Sequence, residues 1–566
     1  MDLTNSRFST EQLETILFKL IEANPSTKDQ VNFLRTKAAG DMKIQQPPNR
    51  LLLSAYQNLV KMKRVKPMPS LERLLRKADI RSTSGISVVT SLVKPYTCPG
   101  KCVYCPTEVR MPKSYIASEP AAARALRLDF SPYEQVKRRI EMLEVNGHPT
   151  DKVEYIIKGG TWNAYPLKYQ YWFILESFRA CNDLSRRKID APSNGKMVSL
   201  NENSPLEDLQ TALEKEQRYN ETAKHRIIGL TLETRPDAIS AKSIHHMRLQ
   251  GCTRIELGLQ APDDQILELI KRGHTVKQFE DAIYLLRCAG FKVDLHFMPD
   301  LPGTSPDHDI EMYQELFQRN TLKPDMVKIY PNTVIKSAEL YKWFQSGKYK
   351  PYGEEGLFRA LLQMKLDTPR YCRISRLIRD IPETEIEAGN KVTNLREALA
   401  AHLKKEGKQC VCLRCREISR QRGNIDESID PVLFVDQYDT LGGAEYFITY
   451  EDPDRKAVYG FLRLRIPDSH APTNTQTKKL YGLMPEIENC AFIRELHVYG
   501  KLVGIGKKEK KASQHKGIGA KLVEAAEKIV KDQKQKKIAI ISGVGVRGYY
   551  RKFGYRKQGT YMTKKV

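Results

Sequence analysis

No apolar run in this chain approaches the ~20 residues needed to cross a bilayer. Its opening, MDLTNSRFSTEQLETILFKL, places acids where a secretion signal carries a basic stretch and then an unbroken apolar one. Both absences point to a protein that works in the cytoplasm, away from membranes. Acidic residues are also in short supply. Against 93 Lys and Arg stand 68 Asp and Glu, a net charge of +25 over 566 residues. That surplus disfavours a basic partner and suits a polyanion. The chain holds 11 cysteines, but they do not follow a disulfide framework: six fall into two groups of three and the rest are scattered. Internal repeats and long low-complexity tracts are missing too; KKEKK at 507–511 is a short charged loop.

The positive charge is uneven. Residues 31–80 carry eleven Lys and Arg against Asp41, Glu72 and Asp79, interleaved with Leu, Val and Tyr56. A folded basic surface for a phosphate backbone fits this pattern, and a solvated helix face is the plainer alternative. Residues 1–80 read as helical, with LETILFKLIEA and LLLSAYQNLV repeating every 3.6 residues and a break at Pro47-Pro48.

From about residue 85 the texture changes. Six short β-rich runs (ISVVTSLV, VEYIIKGG, RIIGLTLET, RIELGLQ, KVDLHFMPD, DMVKIYPN) alternate with amphipathic helical stretches such as SPYEQVKRRIEMLEVNG and TVKQFEDAIYLLRCAG. Alternation of this kind implies a parallel sheet, here a full or partial (β/α) barrel. Residues 366–425 interrupt the rhythm, and 430–566 return to strands as a separate α/β domain.

Cys98-x3-Cys102-x2-Cys105, in PYTCPGKCVYCPTE, puts three thiols on the loop after the first strand. Three thiolates so spaced suit a [4Fe–4S] cluster with one iron left open, the spacing by which S-adenosylmethionine (SAM) is bound and cleaved. Tyr104 adds to the match, since the position before the last cysteine is usually aromatic there. A zinc knuckle would want a fourth ligand nearby, and the next histidine is His148. One βα unit later, Gly159-Gly160-Thr161 ends a strand where backbone carbonyls can meet the SAM ammonium; otherwise it is a plain turn. Glu256 and Gln260 in ELGLQ are further SAM candidates, while Glu233, Arg235, His296, Lys328 and Tyr330 lie at strand ends without an assigned role.

In the last domain, Gln514-x-x-Gly517-Ile518-Gly519-Ala520 stands between the strand AFIRELHVYG and the helix AKLVEAAEKIVKDQ. It has the form of the pyrophosphate loop of GCN5-related acetyltransferases, where backbone N–H groups and a helix N-terminus meet the coenzyme A diphosphate. Tyr549 and Tyr550 in GYYRKFGY are either packing or a phenol able to protonate a leaving thiolate. Cys410-x-Cys412-x2-Cys415 offers three zinc ligands, with Cys372 a candidate fourth and His402 a weaker one. Cys181, Cys252, Cys288 and Cys490 sit in apolar contexts and read as small buried hydrophobes.

A radical-SAM barrel joined to an acetyltransferase, together with CVYCP, GGTW, LETRPD, ELGLQ, MPDLPG, KIYP, RCREI, RELHVYG and QHKGIG, closely resembles the catalytic subunit of Elongator. The likeness spans about residues 80–566 and is nearest to stand-alone archaeal and bacterial members; eukaryotic members have a longer gap between the first two cysteines. Taken with the readings above, the chain is expected to be an α/β protein: a basic helical tRNA-binding region (1–80), read from charge and periodicity, a partial (β/α) radical-SAM barrel (81–365), a zinc-binding linker (366–425), read from cysteine spacing, and a GCN5-related acetyltransferase domain (426–566). The resemblance implies a [4Fe–4S] cluster on Cys98, Cys102 and Cys105, and acetyl-CoA held by Lys152, Glu495-Leu496-His497-Val498, Ile518-Gly519-Ala520 and Tyr550. The expected activity is addition of a carboxymethyl group to C5 of wobble uridine 34 in the tRNA anticodon loop, without accessory subunits and with room for a homodimer. Chemistry supports the pairing: uracil C5 is a poor target for ordinary acyl transfer, whereas a radical made from an acetyl methyl group can add there. The rivals are a protein lysine acetyltransferase with a structural cluster, which the +25 charge disfavours, and a non-catalytic tRNA-binding scaffold.

Overall fold

The structure, a computed structural model, describes residues 7–76, 85–186, 200–421, 423–426, 428–469, 471–499 and 517–566. Four helices, Thr10–Ala23, Lys28–Asp41, Asn49–Lys61 and Pro69–Leu75, open the chain. Capping boxes start the first two, Ser9 with Gln12 and Thr27 with Gln30. Pro48 precedes the third, where the Pro-Pro pair was expected to break the pattern. Their apolar faces close a core of their own, with Leu13, Leu17 and Leu20 packed among Leu52, Tyr56, Leu59 and Leu71.

The next sheet contains all six strands read from the sequence: β1 (Ser87–Leu92), β2 (Lys152–Lys158), β3 (Arg226–Thr234), β4 (Arg254–Gln260), β5 (Lys292–Phe297) and β6 (Met326–Ile329). A seventh strand, β8 (Arg373–Arg376), joins β6 from the segment read as a linker, and β7 (Thr333–Val334) and β9 (Ala388–Gly389) on either side of it in the chain form a separate two-residue ladder. Every pairing in the order β1-β2-β3-β4-β5-β6-β8 is parallel, and the two ends do not meet, so the barrel is partial. One long helix, Leu167–Asp183, escapes a periodicity reading because it is apolar nearly all round; Tyr169, Tyr171, Phe173, Ile174, Leu175 and Phe178 are all buried.

The second sheet runs β10 (Val432–Thr440), β11 (Gly443–Glu451), β12 (Val458–Pro467), β13 (Ala491–Val498), β14 (Lys537–Ile540), β16 (Tyr561–Lys565) and β15 (Arg556–Gln558). It is antiparallel except between β13 and β14, which pair in parallel. Among the described residues, no helix is long and apolar enough to cross a membrane.

The two sheets share one buried seam. Asp325, at the foot of β6, meets Arg494 of β13 through two bonds of 2.5 and 2.7 Å, and Arg494 also holds Glu445 of β11 at 2.9 Å. Beside them Gly543 and Gly545 follow β14, where a Cβ on Gly543 would overlap the backbone of Ile228 in β3. Gly543→Val is expected to destabilise the protein by about 1–3 kcal/mol, since the obstacle is backbone that cannot rotate away. Thermal unfolding and proteolytic nicking between the domains would show it; an unchanged melting curve would mean the seam yields.

Candidate functional site

Cys98, Cys102 and Cys105 line a cavity at the C-terminal rim of the first sheet. The Gly100 N–H donates to Cys98 Sγ at 3.4 Å, and Arg272 Nη1 donates to Cys102 Sγ at 3.5 Å. A hydrogen bond from Cys105, then the Arg272 guanidinium, hold the Cys102 thiol at about 4 against the opposing effect of burial. The same bond, with burial, pushes the Cys105 thiol upward. Arg272 is itself fixed, through Gly258 O at 2.6 Å and His274 Nε2 at 3.0 Å.

The same cavity takes in Gly160, Thr161, Glu256 and Gln260. Gly159 and Gly160 have φ of 143° and 85°, and a Cβ on Gly159 would overlap the Val93 side chain, so the turn needs glycine. Thr161 Oγ1 lies 3.8 Å from Cys98 Sγ. Gln260 sits at φ 80° where the register of β4 against β5 shifts, a strained backbone for a residue with a side chain. Buried polar atoms without partners ring the space: Thr234 Oγ1, Arg235 Nη1, Glu256 Oε1 and Gln260 Oε1. Orphans of that kind fit a polar ligand such as the amino-acid end of SAM. Glu256 Oε2 is paired with Lys328, and despite full burial that ammonium, with His296 adding to it, holds the carboxyl well below its usual range. Burial, followed by Lys328 and Arg376, pulls Lys158 down to about 8.

A second cavity, of about 700 Å³, opens where β13 and β14 part. Their pairing ends at Ile493↔Ile540, and residues 495–498 then wall one side while Ile541, Ser542 and Gly543 wall the other. Lys152, Gly519, Tyr549 and Tyr550 are also in the lining. Gly517, at φ 71°, caps the helix Ile518–Asp532 beside it. A Cβ on Gly519 would lie 2.5 Å from Tyr549 OH, while Ile518 is buried against Gly460 and Ala520 follows on the helix. Gln514 lies outside the described residues. Burial, then Tyr549 and Glu495, push the Tyr550 phenol upward, so it keeps its proton at neutral pH. Burial lowers Lys152. Burial alone would raise Glu495, but Lys292 at 3.4 Å and Arg463 at 2.9 Å hold it at about 2.

Cys410, Cys412 and Cys415 bring their sulfurs within 4.8 Å of one another, the one such group of three ligands among the described residues. Cys372 is buried outside the tight group, its carbonyl accepting from Leu413 N at 2.9 Å, and Lys365 Nζ approaches Cys415 Sγ at 3.9 Å. His402 points elsewhere, to Glu406 at 3.0 Å. Cys181, Cys252, Cys288 and Cys490 are buried.

Sequence reasoning missed Arg272, Lys158 and Tyr115, whose phenol reaches Glu233 at 3.0 Å. In a chain this basic an arginine or lysine carries no signal of being buried.

The Radical SAM superfamily matches residues 92–316 and the Radical_SAM C-terminal domain residues 324–405. The curated tRNA uridine(34) acetyltransferase of Methanocaldococcus jannaschii is 41% identical, covering 87% of this chain and 86% of that protein. Human Elongator complex protein 3 is 35% identical over 100% of this chain and 98% of its own. The solved structure of archaeal Methanocaldococcus infernus Elp3 with an N-terminal deletion superposes with a TM-score of 0.69 at 36% identity, over 85% of this chain and 100% of that one. Likeness of this extent, on a half-barrel whose rim carries the three-cysteine loop, places the chain in the family of tRNA uridine(34) acetyltransferases and Elongator complex protein 3, with a radical SAM domain as its first sheet.

Proposed function

We propose that this chain carboxymethylates C5 of the wobble uridine in tRNA, drawing the two carbons from acetyl-CoA. The observation that carries the reading is the pairing, in one chain, of a thiol-lined rim ringed by orphaned polar atoms with a strand splay shaped for a coenzyme arm. Cys98, Cys102 and Cys105 would hold the cluster, which with SAM supplies a 5′-deoxyadenosyl radical able to take hydrogen from an acetyl methyl group. Gly160 and Thr161 would face the SAM ammonium, and Glu256 and Gln260 its remaining polar edge. Lys152, residues 495–498 and the helix start at Ile518, Gly519 and Ala520 would seat the coenzyme, the helix N-terminus meeting its diphosphate. Tyr550, protonated and buried, would donate to the thiolate as the thioester is hydrolysed, with Tyr549 packed at 5.5 Å beside it. Cys410, Cys412 and Cys415 would hold zinc, with Cys372 the candidate for the fourth place.

The domain boundaries at 80, 365 and 425 are proposed with the function. The four-helix basic region (1–80) would grip tRNA and present the anticodon loop, whose single-stranded bases can be splayed into a pocket. The protein would act in the cytoplasm, as a monomer or homodimer without accessory subunits.

The test is anaerobic. Protein reconstituted with iron and sulfide is given SAM, a reductant, isotope-labelled acetyl-CoA and unmodified tRNA, and the nucleosides are resolved by mass spectrometry. Labelled 5-carboxymethyluridine is expected. Its absence, with labelled acetyl-lysine on added protein instead, would favour the lysine acetyltransferase. Tyr550→Phe is expected to slow coenzyme A release on the order of 100-fold while leaving acetyl-CoA affinity unchanged; an unaffected rate removes the phenol from the reaction.

A further inference from the structure

We infer that the hollow interior of the half-barrel is a conduit through which the pantetheine arm of acetyl-CoA reaches the cluster pocket. The inference rests on the acetyl-CoA reading above and says how the two sites communicate. Its basis is an inverted burial pattern. Side chains alternate between the two faces of a strand, and a closed eight-stranded barrel fills its interior with them. On β1 and β2 the faces have changed places, whereas the inward Arg254, Glu256, Asp294 and Lys328 of β4, β5 and β6 are buried. Along β2 the outward Val153, Tyr155 and Ile157 are buried, whereas the inward Glu154, Ile156 and Lys158 are only half-buried. In β1 the inward Val88 is 39% exposed between the buried Ser87 and Val89. The lumen is therefore open space, about 410 Å³ of it.

Both ends of that space lead somewhere. Its floor is one face of the second sheet, formed by the alternating Phe461 and Arg463 of β12 and Glu495 and His497 of β13. Glu495 and His497 also wall the coenzyme cavity, as does Glu154. At the other end Lys158, Glu256, Lys328 and Arg376 belong both to the lumen and to the cluster cavity. β2 runs the length of the passage, from Lys152 in the coenzyme cavity to Lys158 in the cluster cavity, roughly 20 Å at about 3.3 Å per residue.

The wall selects its occupant. Its charges are largely matched within it, Glu154 to Arg254 at 2.5 Å and Arg373 to Glu417, so it presents hydrogen-bonding groups with little unbalanced charge. That suits a neutral chain of amides and excludes the diphosphate, which stays at the helix start outside. The buried Lys328–Glu256 pair forms the neck.

Alkylation reads the contact without any radical chemistry. Ile156→Cys in the cluster-loaded enzyme is treated with bromoacetyl-CoA, whose CH2 carbon the thiolate attacks with loss of bromide, and modified peptides are mapped by mass spectrometry. Thioether formation at position 156, suppressed by excess coenzyme A, is expected. No modification there while coenzyme A still binds overturns the conduit, as does modification that coenzyme A does not suppress. Failure to bind coenzyme A at all removes the acetyl-CoA reading and the conduit with it. As the functional counterpart, Ile156→Trp should lower 5-carboxymethyluridine formation by about tenfold or more, because an indole fills such a passage. Deoxyadenosine release from SAM should stay at wild-type level, and coenzyme A should still bind through its diphosphate, which lies outside the lumen. Unimpaired product formation in that variant, whose indole blocks the lumen, also overturns the proposal.

Discussion

Cys102→Ser is expected to abolish SAM cleavage. A serine hydroxyl does not ionise in the range where Cys102 is already a thiolate, so one of three cluster ligands disappears from a site that has no spare. Deoxyadenosine release should fall below detection, and the visible absorbance of the reconstituted cluster should shrink with it. The fold should survive. Arg272, which faces the sulfur, keeps its bonds to Gly258 and His274, so its buried charge is not stranded. Circular dichroism and coenzyme A binding close to wild type would separate lost ligation from lost structure. Deoxyadenosine production at the wild-type rate would remove the loop from the cluster.

Asp325→Ala should have the largest effect on stability. The carboxylate lies fully buried between Arg494 and Arg463, and its second oxygen also accepts from Val293 N at 3.0 Å. Removing it strips two buried guanidinium groups of one counter-charge each, leaving Arg494 with Glu445 and Arg463 with Glu495, a loss toward the lower end of the about 3–5 kcal/mol that breaking a buried pair costs. Pairing it with Arg494→Met should recover part of that, because an uncompensated charge costs more than a missing pair. Burial alone would raise the Asp325 carboxyl, but Arg494 and Arg463 hold it well below its ordinary value of 3.8. Its contribution is therefore complete above that value and drains away as the pH falls through the acid range. Denaturant midpoints at pH 7 and pH 2 measure both effects; a midpoint unmoved by the substitution would show the seam to be held by other contacts.

Much of the fold was legible because its strands are short apolar runs set between amphipathic helices, and all six proposed strands formed. The helix Leu167–Asp183 was not, since its polar stripe is thin, Lys168, Glu176, Arg179 and Asp183 against a broad buried apolar face. Of the sites, the two thiol groups and the glycine turns announced themselves by spacing. The residues around them did not. Arg272 lies 170 residues from the cysteine it touches, and Asp325 lies 169 from Arg494. Pairings at such separations leave no local trace, and the chain's abundance of arginine hides the few that are buried. The resemblance to Elongator's catalytic subunit carried the assignment of Lys152, which alone reads as a solvated lysine; the structure sets it in the wall of the second cavity.

The seam between the sheets also bears on how such a protein can be rebuilt. Asp325 belongs to one half and Arg494, Arg463 and Glu445 to the other, while Gly543 lets the backbones touch. A chimera that grafts the acetyltransferase half of a relative onto this barrel must bring a matching set of charges and a glycine at the contact. Without them the graft buries unmatched ions or pries the halves apart. The two catalytic units are therefore not interchangeable parts: their recombination unit is the whole barrel with its floor.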